Sequence, residues 1–226
     1  MDISAYQHIL NVLKPTGTQL LAVSKTKSAE EIMVLYNLGQ RDFGENYVQE
    51  LMEKREKLPA DIRWHFIGHL QTNKVKYITP FVYMIQSVDS LKLLLEIDKH
   101  AEKNQRNLLC LLQIHIGQEE TKFGLDKQEV ESLISTVNQN REEGKFRHAK
   151  IGGCMGMASI TEDVNQIRME FHYLKEIYQI IKESFPLEPV STLSMGMSSD
   201  YTMAIESGST MIRIGSLLFG ERNYTS

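Results

Sequence analysis

Cysteine is scarce: there are two in 226 residues, Cys110 within the apolar run 108–116 and Cys154 within Gly152-Gly153-Cys154-Met155-Gly156-Met157. Neither stands at metal-ligand spacing, so no zinc or iron site is expected. Both read as reduced core thiols, as in a cytoplasmic protein. Positive charge is also short. Lys and Arg number 25 against 29 Asp and Glu, a net charge of −4, and no basic stripe with interleaved aromatics occurs, which argues against a nucleic-acid partner. No apolar run is long enough to span a bilayer, which argues against a membrane protein. The N-terminus has an early acid, Asp2, and no basic leader. Its Ile3, Tyr6, Leu10 and Leu13 recur at helical spacing, so it reads as a docked helix and not a signal peptide. A linker of disordered composition is missing too, and no Gly-x-Gly-x-x-Gly follows the first strand, which removes the dinucleotide fingerprint.

What is present is a regular alternation. Leu20-Leu21-Ala22-Val23 has no polar interruption and reads as a strand buried on both faces of a parallel sheet. Ser28 and Glu31 then form a capping box for a helix whose stripe is Ile32, Leu35 and Leu38, ending at Gly39. Further strands are expected within Arg41–Asn46, as a short strand followed by a turn, and at Arg63–Gly68, Val82–Gln86, Leu108–Ile116, Lys150–Met157, Val190–Leu193 and Thr210–Ile214. Helices lie between them. One runs through Val48, Leu51 and Met52, and a short one covers 71–78. One capped by Asp89 carries Leu91, Leu94, Leu95 and Ala101, and one opened by Asp126 carries Val130, Leu133, Ile134 and Val137. A polar crossing follows from Asn138 to Lys145. The clearest amphipathic helix carries Val164, Ile167, Phe171, Leu174, Tyr178 and Ile181, and a short one starts near Ser199. Eight strand–helix units in a chain of 226 residues predict a single-domain α/β fold over 1–226, a (β/α)8 TIM barrel with an extra N-terminal helix.

In such a barrel, chemistry collects at the carboxyl ends of the strands. Lys25 stands where the first strand runs out; there a partly desolvated amine could attack an aldehyde, although the stretch alone better suits an ordinary strand-end lysine with its amine in solvent. After strands seven and eight come Ser194-Met195-Gly196-Met197-Ser198-Ser199-Asp200 and Arg213-Ile214-Gly215-Ser216, in the usual place of a phosphate cradle. Plain turn chemistry would also use Gly and Ser there. After strand two, Asn46 could bond a ring substituent, while Glu45 is expected as a helix-start acid. His65 inside the third strand is expected as a satisfied core residue, and His69 as an accessible loop residue. No Ser-His-Asp or Cys-His set is recognisable. A lysine facing a phosphate cradle suits pyridoxal phosphate; a phosphosugar aldolase would use the same two parts.

The motifs Ala22-Val23-Ser24-Lys25, Phe43-Gly44-Glu45-Asn46-Tyr47-Val48-Gln49-Glu50, Trp64-His65-Phe66-Ile67-Gly68, Leu193-Ser194-Met195-Gly196-Met197-Ser198 and Arg213-Ile214-Gly215-Ser216 resemble those of the pyridoxal phosphate homeostasis proteins, single-domain relatives of the alanine racemase barrel. They occur in the family's order across nearly the whole chain. The resemblance implies that Lys25 carries pyridoxal 5'-phosphate as a Schiff base and that Ser198, Gly215 and Ser216 hold its phosphate. It places Asn46 and Arg213 near the ring, with Met197 among the cofactor-binding residues. Two departures are mild: Ser216 stands where the family often has Thr, and His69 where many members have Pro.

The resemblance further implies a non-catalytic carrier acting in intracellular cofactor homeostasis and delivery. The partners expected are apo forms of pyridoxal phosphate enzymes, and the chain is expected to be monomeric. Two features support a carrier over the alternative, a racemase-like or lyase enzyme. No second domain is expected after Ser226 to supply an opposite-face base, and Arg213 toward the pyridine nitrogen would weaken the ring as an electron sink. Lys27 and Lys122 are the rival amines, and Lys122 could hold a second adduct.

Overall fold

The structure, a computed structural model, describes residues 1–118 and 123–220. Lys122 lies outside them. The chain begins with α1 (Ile3–Leu13) and then alternates β1 (Gln19–Val23), α2 (Ala29–Asn37), β2 (Asp42–Glu45), α3 (Val48–Lys57), β3 (Arg63–Phe66), α4 (Val75–Ile78), β4 (Met84–Val88) and α5 (Leu91–Lys103). It continues with β5 (Leu108–Ile114), α6 (Lys127–Glu142), β6 (Ala149–Gly156), α7 (Val164–Ser184), β7 (Thr192–Ser194), α8 (Tyr201–Glu206), β8 (Met211–Ile214) and α9 (Ser216–Phe219). The strands form a closed parallel barrel in the order β1 to β8, sealed where Gln19 to Ala22 pair with Met211 to Ile214. The expected TIM barrel with an added N-terminal helix is the fold. One apolar core, running from Tyr6 to Phe219, fills the space between barrel and helices. No described helix is long and apolar enough to cross a membrane.

Several boundaries differ from expectation, each for a local reason. Val82 still donates to Ile78 O, completing the turn after α4, so β4 starts at Met84. Val190 donates to Glu188 O in a turn behind Pro189, so β7 starts at Thr192. Helix α6 runs four residues past Asn138 and ends with Glu142. The helix stripes also shift. Buried residues on α1 are Tyr6, Ile9 and Leu13, while Ile3, Leu10, Leu38, Leu95 and Val164 are exposed. Those five lie in end turns or one position off the core-facing row, where solvent covers them. Ser90, not Asp89, caps α5 by accepting from Leu93 N at 3.3 Å; Asp89 instead pairs with His69 Nδ1 at 3.2 Å.

The amino-terminal helix ties the two ends of the barrel together. Asp2 N donates to Leu218 O of α9 at 2.8 Å, and the Asp2 side chain caps α1. Tyr6 reaches Gln40, whose amide donates to Leu20 O and Asp42 O. The start of the chain is thus bonded to the loop after β8 and, through Gln40, to β1 and β2.

Candidate functional site

A cavity of about 420 Å³ opens at the carboxyl ends of the strands, within the range of small-molecule sites. It lies toward β1–β3 and β6–β8. All seven sequence-predicted residues line it: Lys25, Asn46, Met197, Ser198, Arg213, Gly215 and Ser216. Residues 190 positions apart are neighbours here because β8 pairs with β1 and carries its loop to the end of that strand. The apolar part of the lining is Val23, Ile67, Met155, Met157 and Ile160. Met155 also packs on Met84 and Leu111 inside the barrel, so this part of the floor is apolar.

The β7 loop is shaped by Gly196 and Asp200. Gly196 has φ +96°, and a Cβ there would come within 2.6 Å of Ala204 Cβ; only glycine fits this left-handed position without displacing α8. Asp200 closes the loop on itself: its carboxylate accepts from Met197 N at 2.6 Å and its own N–H donates to Met197 O. The short helix expected from Ser199 therefore begins at Tyr201. Burial raises the Asp200 carboxyl, against the opposing Met197 N–H bond and the Arg213 charge. On the β8 side, Ser216 and Leu217 open α9, and their amides have no acceptor within the helix.

Arg213 is buried, and that burial brings its guanidinium down to about 10, with Asp200 pulling the other way. It stays cationic at neutral pH. It donates to Ser194 Oγ at 2.8 Å and to Gly156 O at 2.9 Å. Ser194 donates to Gln86 Oε1 at 2.8 Å, Gln86 Nε2 lies 3.0 Å from His65 Nδ1, and His65 Nε2 lies 3.1 Å from Asp42 Oδ1. This polar line crosses the barrel interior and holds the arginine at one end. Burial lowers the His65 pKa against the pull of Asp42, so the ring is neutral and can accept at Nδ1. His65 is the satisfied core residue the sequence suggested. The sequence reading gave Gln86 no role and took Ser194 only as part of the loop after strand seven, whereas it ends β7; a polar residue inside an otherwise apolar strand is the signal that exposes both.

Glu45 departs from expectation. It is not a helix-start acid: it ends β2, fully buried, and α3 begins with Tyr47 as an N-cap making no side-chain bond. Its Oε1 accepts from Ser24 Oγ at 2.5 Å and from Lys54 Nζ at 2.7 Å. Burial raises its carboxyl to about 7, outweighing the Lys54 charge and both hydrogen bonds. Lys27, the rival amine, also lines the cavity, but its Nζ donates to Phe219 O at 3.0 Å and lies 3.8 Å from Glu31. His69 is accessible, as expected, and stacks on Phe123 at 4.3 Å.

The residues suit an aldehyde-bearing aromatic phosphate. Among the described residues the buried Asn46 Oδ1 has no hydrogen-bond partner, so it could accept from a donor on a ligand. Ser198, Ser216 and Lys25 all line the cavity; Ser216 is the first residue of α9, and Lys25 follows the end of β1 by two residues.

The family model of the alanine racemase N-terminal domain matches residues 2–223. A pyridoxal phosphate homeostasis protein of Aquifex aeolicus is 40% identical over 207 residues, covering 91% of this chain and 88% of its own. The human protein of that name is 38% identical, covering 92% of this chain and 78% of its own. The structure of PipY from Synechococcus elongatus with pyridoxal phosphate bound superposes with a TM-score of 0.84 at 32% identity, covering 97% of this chain and all of PipY. With full-length matches at this level, and the motif-bearing loops gathered at one barrel mouth, the chain belongs to the alanine racemase N-terminal domain family and, within it, to the pyridoxal phosphate homeostasis proteins.

Proposed function

We propose that the protein binds pyridoxal 5'-phosphate in the mouth cavity and serves intracellular cofactor homeostasis and delivery, without catalysing a reaction of its own. The observation that carries this reading is the convergence on one cavity of Lys25, at the end of β1, with Ser198, Gly215 and Ser216, from the loops after β7 and β8. When bound, the cofactor supplies an aldehyde that condenses with primary amines and a ring that draws electrons.

The chain's own groups divide the work. Lys25 offers the amine for covalent attachment. The Ser198 and Ser216 hydroxyls and the first α9 amides donate to the phosphate. Asn46 accepts from a ring substituent, Met197 packs against the ring, and Arg213 donates toward the pyridine nitrogen and opposes its protonation. Among the described residues the lining holds no carboxylate, histidine, cysteine or tyrosine. The protein thus has few means to move a substrate proton on the face opposite Lys25, which supports a carrier over a racemase or lyase. We also place the protein in the cytoplasm as a monomer; the free, buried Cys110 and Cys154 suit a reducing compartment.

The test is borohydride reduction of the loaded protein followed by peptide mapping. The mass increment is expected on the peptide bearing Lys25 and is expected to vanish in Lys25→Ala. A label mainly on Lys27 or Lys122 overturns the assignment.

A further inference from the structure

Lys25 is flanked by two residues whose backbones are held from outside the cavity. On one side, Ser24 is fully buried; its O accepts from Lys54 Nζ at 2.7 Å and its Oγ donates to Glu45. On the other, Thr26 sits at φ +64°, a left-handed conformation that a β-branched residue adopts only when its surroundings impose it. What imposes it is Glu50, whose Oε1 accepts from Thr26 N at 2.6 Å. The same Glu50 oxygen accepts from Lys54 Nζ at 2.6 Å. The Lys54 ammonium therefore spends its three donors on three acceptors: Ser24 O beyond β1, Glu45 at the end of β2 and Glu50 on α3. Its side chain is 8% exposed and that of Glu45 is fully buried. None of Lys54, Glu45 and Glu50 lines the cavity.

Buried ion pairs are a poor route to stability, because desolvation cancels much of the attraction and apolar packing of the same volume does as well. A buried ammonium bracketing one lysine's backbone is better explained by geometry. We propose that Lys54 is a positioning residue for Lys25, clamping Ser24 and Thr26 through Glu45 and Glu50 so that the Lys25 amine is aimed into the cavity. The proposal rests on the reading of Lys25 as the attachment amine. It assigns Lys54 no contact with the cofactor. A loosened clamp lets the Lys25 segment leave its strained conformation, and covalent capture suffers while the phosphate cradle, built on β7 and β8, stays as it was.

The test compares two probes on the purified protein: pyridoxal 5'-phosphate, which can attach covalently, and 4'-deoxypyridoxine 5'-phosphate, which has the ring and phosphate but no aldehyde. In Lys54→Met, affinity for the aldehyde should fall at least tenfold, with the borohydride-fixed fraction on Lys25 falling in step. Affinity for the deoxy analogue should change less than twofold. In Glu50→Ala, which removes the Thr26 acceptor at a position whose side chain is 23% exposed, the same aldehyde-selective loss should appear at about threefold. If Lys54→Met does not fold, Glu50→Ala decides alone. Equal losses for both probes, or no loss for either, overturn the positioning role. A wild-type protein that is fixed on Lys25 keeps the site reading intact in that event, whereas a wild-type label on another lysine fails the site reading itself.

Discussion

At the scale of single residues, the cradle and the buried acids make separable predictions. Ser198→Ala combined with Ser216→Ala removes two hydroxyl donors from the cavity. Each hydrogen bond to a charged group is worth roughly 1.5–3 kcal/mol, so the double variant should bind pyridoxal phosphate at least tenfold more weakly, with pyridoxal affinity nearly unchanged. Equal loss of both ligands in parallel titrations would mean that the loops serve only the fold. Asp42 and Glu45 shape stability in opposite pH windows. Burial would raise Asp42, but the Arg63 and His65 bonds and charges outweigh it and hold the carboxyl at about 2. Its stabilisation is present above about pH 4 and is lost as pH falls toward 2. Discounted for partial exposure, it amounts to about 1–2 kcal/mol, so Asp42→Asn should be destabilised by that amount at pH 7 and hardly at all at pH 2. Glu45, raised to about 7, binds its proton more tightly folded than unfolded, so its contribution falls as pH rises from about 4.5 to 7. Urea titrations across that window should show a flatter profile for Glu45→Gln than for the wild type.

At the scale of elements, the loops after β2 and β3 share one backbone contact. A Cβ on Gly68 would lie 2.1 Å from Asn46 O, so the β3 loop passes the β2 loop with room for hydrogen only. Gly68→Ala should cost about 1–3 kcal/mol by overpacking and push Asn46 out of place, weakening cofactor binding in the same variant. Thermal melts together with ligand titration check both halves; full affinity in a destabilised variant would show that Asn46 is not a ligand contact. The elements also show why some of the reading from sequence held and some did not. Short, largely apolar runs alternating with helical stripes identified the strands, because a parallel barrel strand is covered on both faces and shows little polar interruption. They missed ends such as Met84 and Thr192, where a single turn bond to Ile78 or Glu188 decides the start. Helix faces slipped at Leu10, Leu38 and Leu95 because a hydrophobic residue beside the core-facing row looks the same in sequence as one on it.

At the scale of the whole molecule, the cavity collects loops from both halves of the barrel, and one of its lining residues, Ile160, is 92% exposed. On the proposed carrier reading, a lining residue this exposed would let water and incoming amines approach, which favours exchange of a bound cofactor over sequestered chemistry. The loaded protein should restore activity to an apo pyridoxal phosphate enzyme in the presence of a trap for released cofactor, faster than free cofactor at matched concentration. It should not wash out α-protons: deuterium exchange at the α-carbon of a panel of amino acids within seconds would replace the carrier reading with a racemase-like one.

Sequence alone determined what is local or repeated. The βα alternation, the capping box at Ser28, the helix start at Asp126, the strand-end lysine and the Gly-Ser loops all follow from spacings of a few residues, and barrel closure follows from their number. The tertiary structure decided what depends on contact between distant segments. Glu45 became a buried partner of Ser24 and Lys54, not a helix acid, because β1, β2 and α3 meet at one point. Gln86, Ser194 and His65 came to support Arg213 because four strands face a common interior. Lys27 was tied to Phe219 O because α9 returns to the start of the loop after β1. In each case the deciding quantity is a through-space distance of about 3 Å between polar atoms, and no periodicity in the chain encodes it.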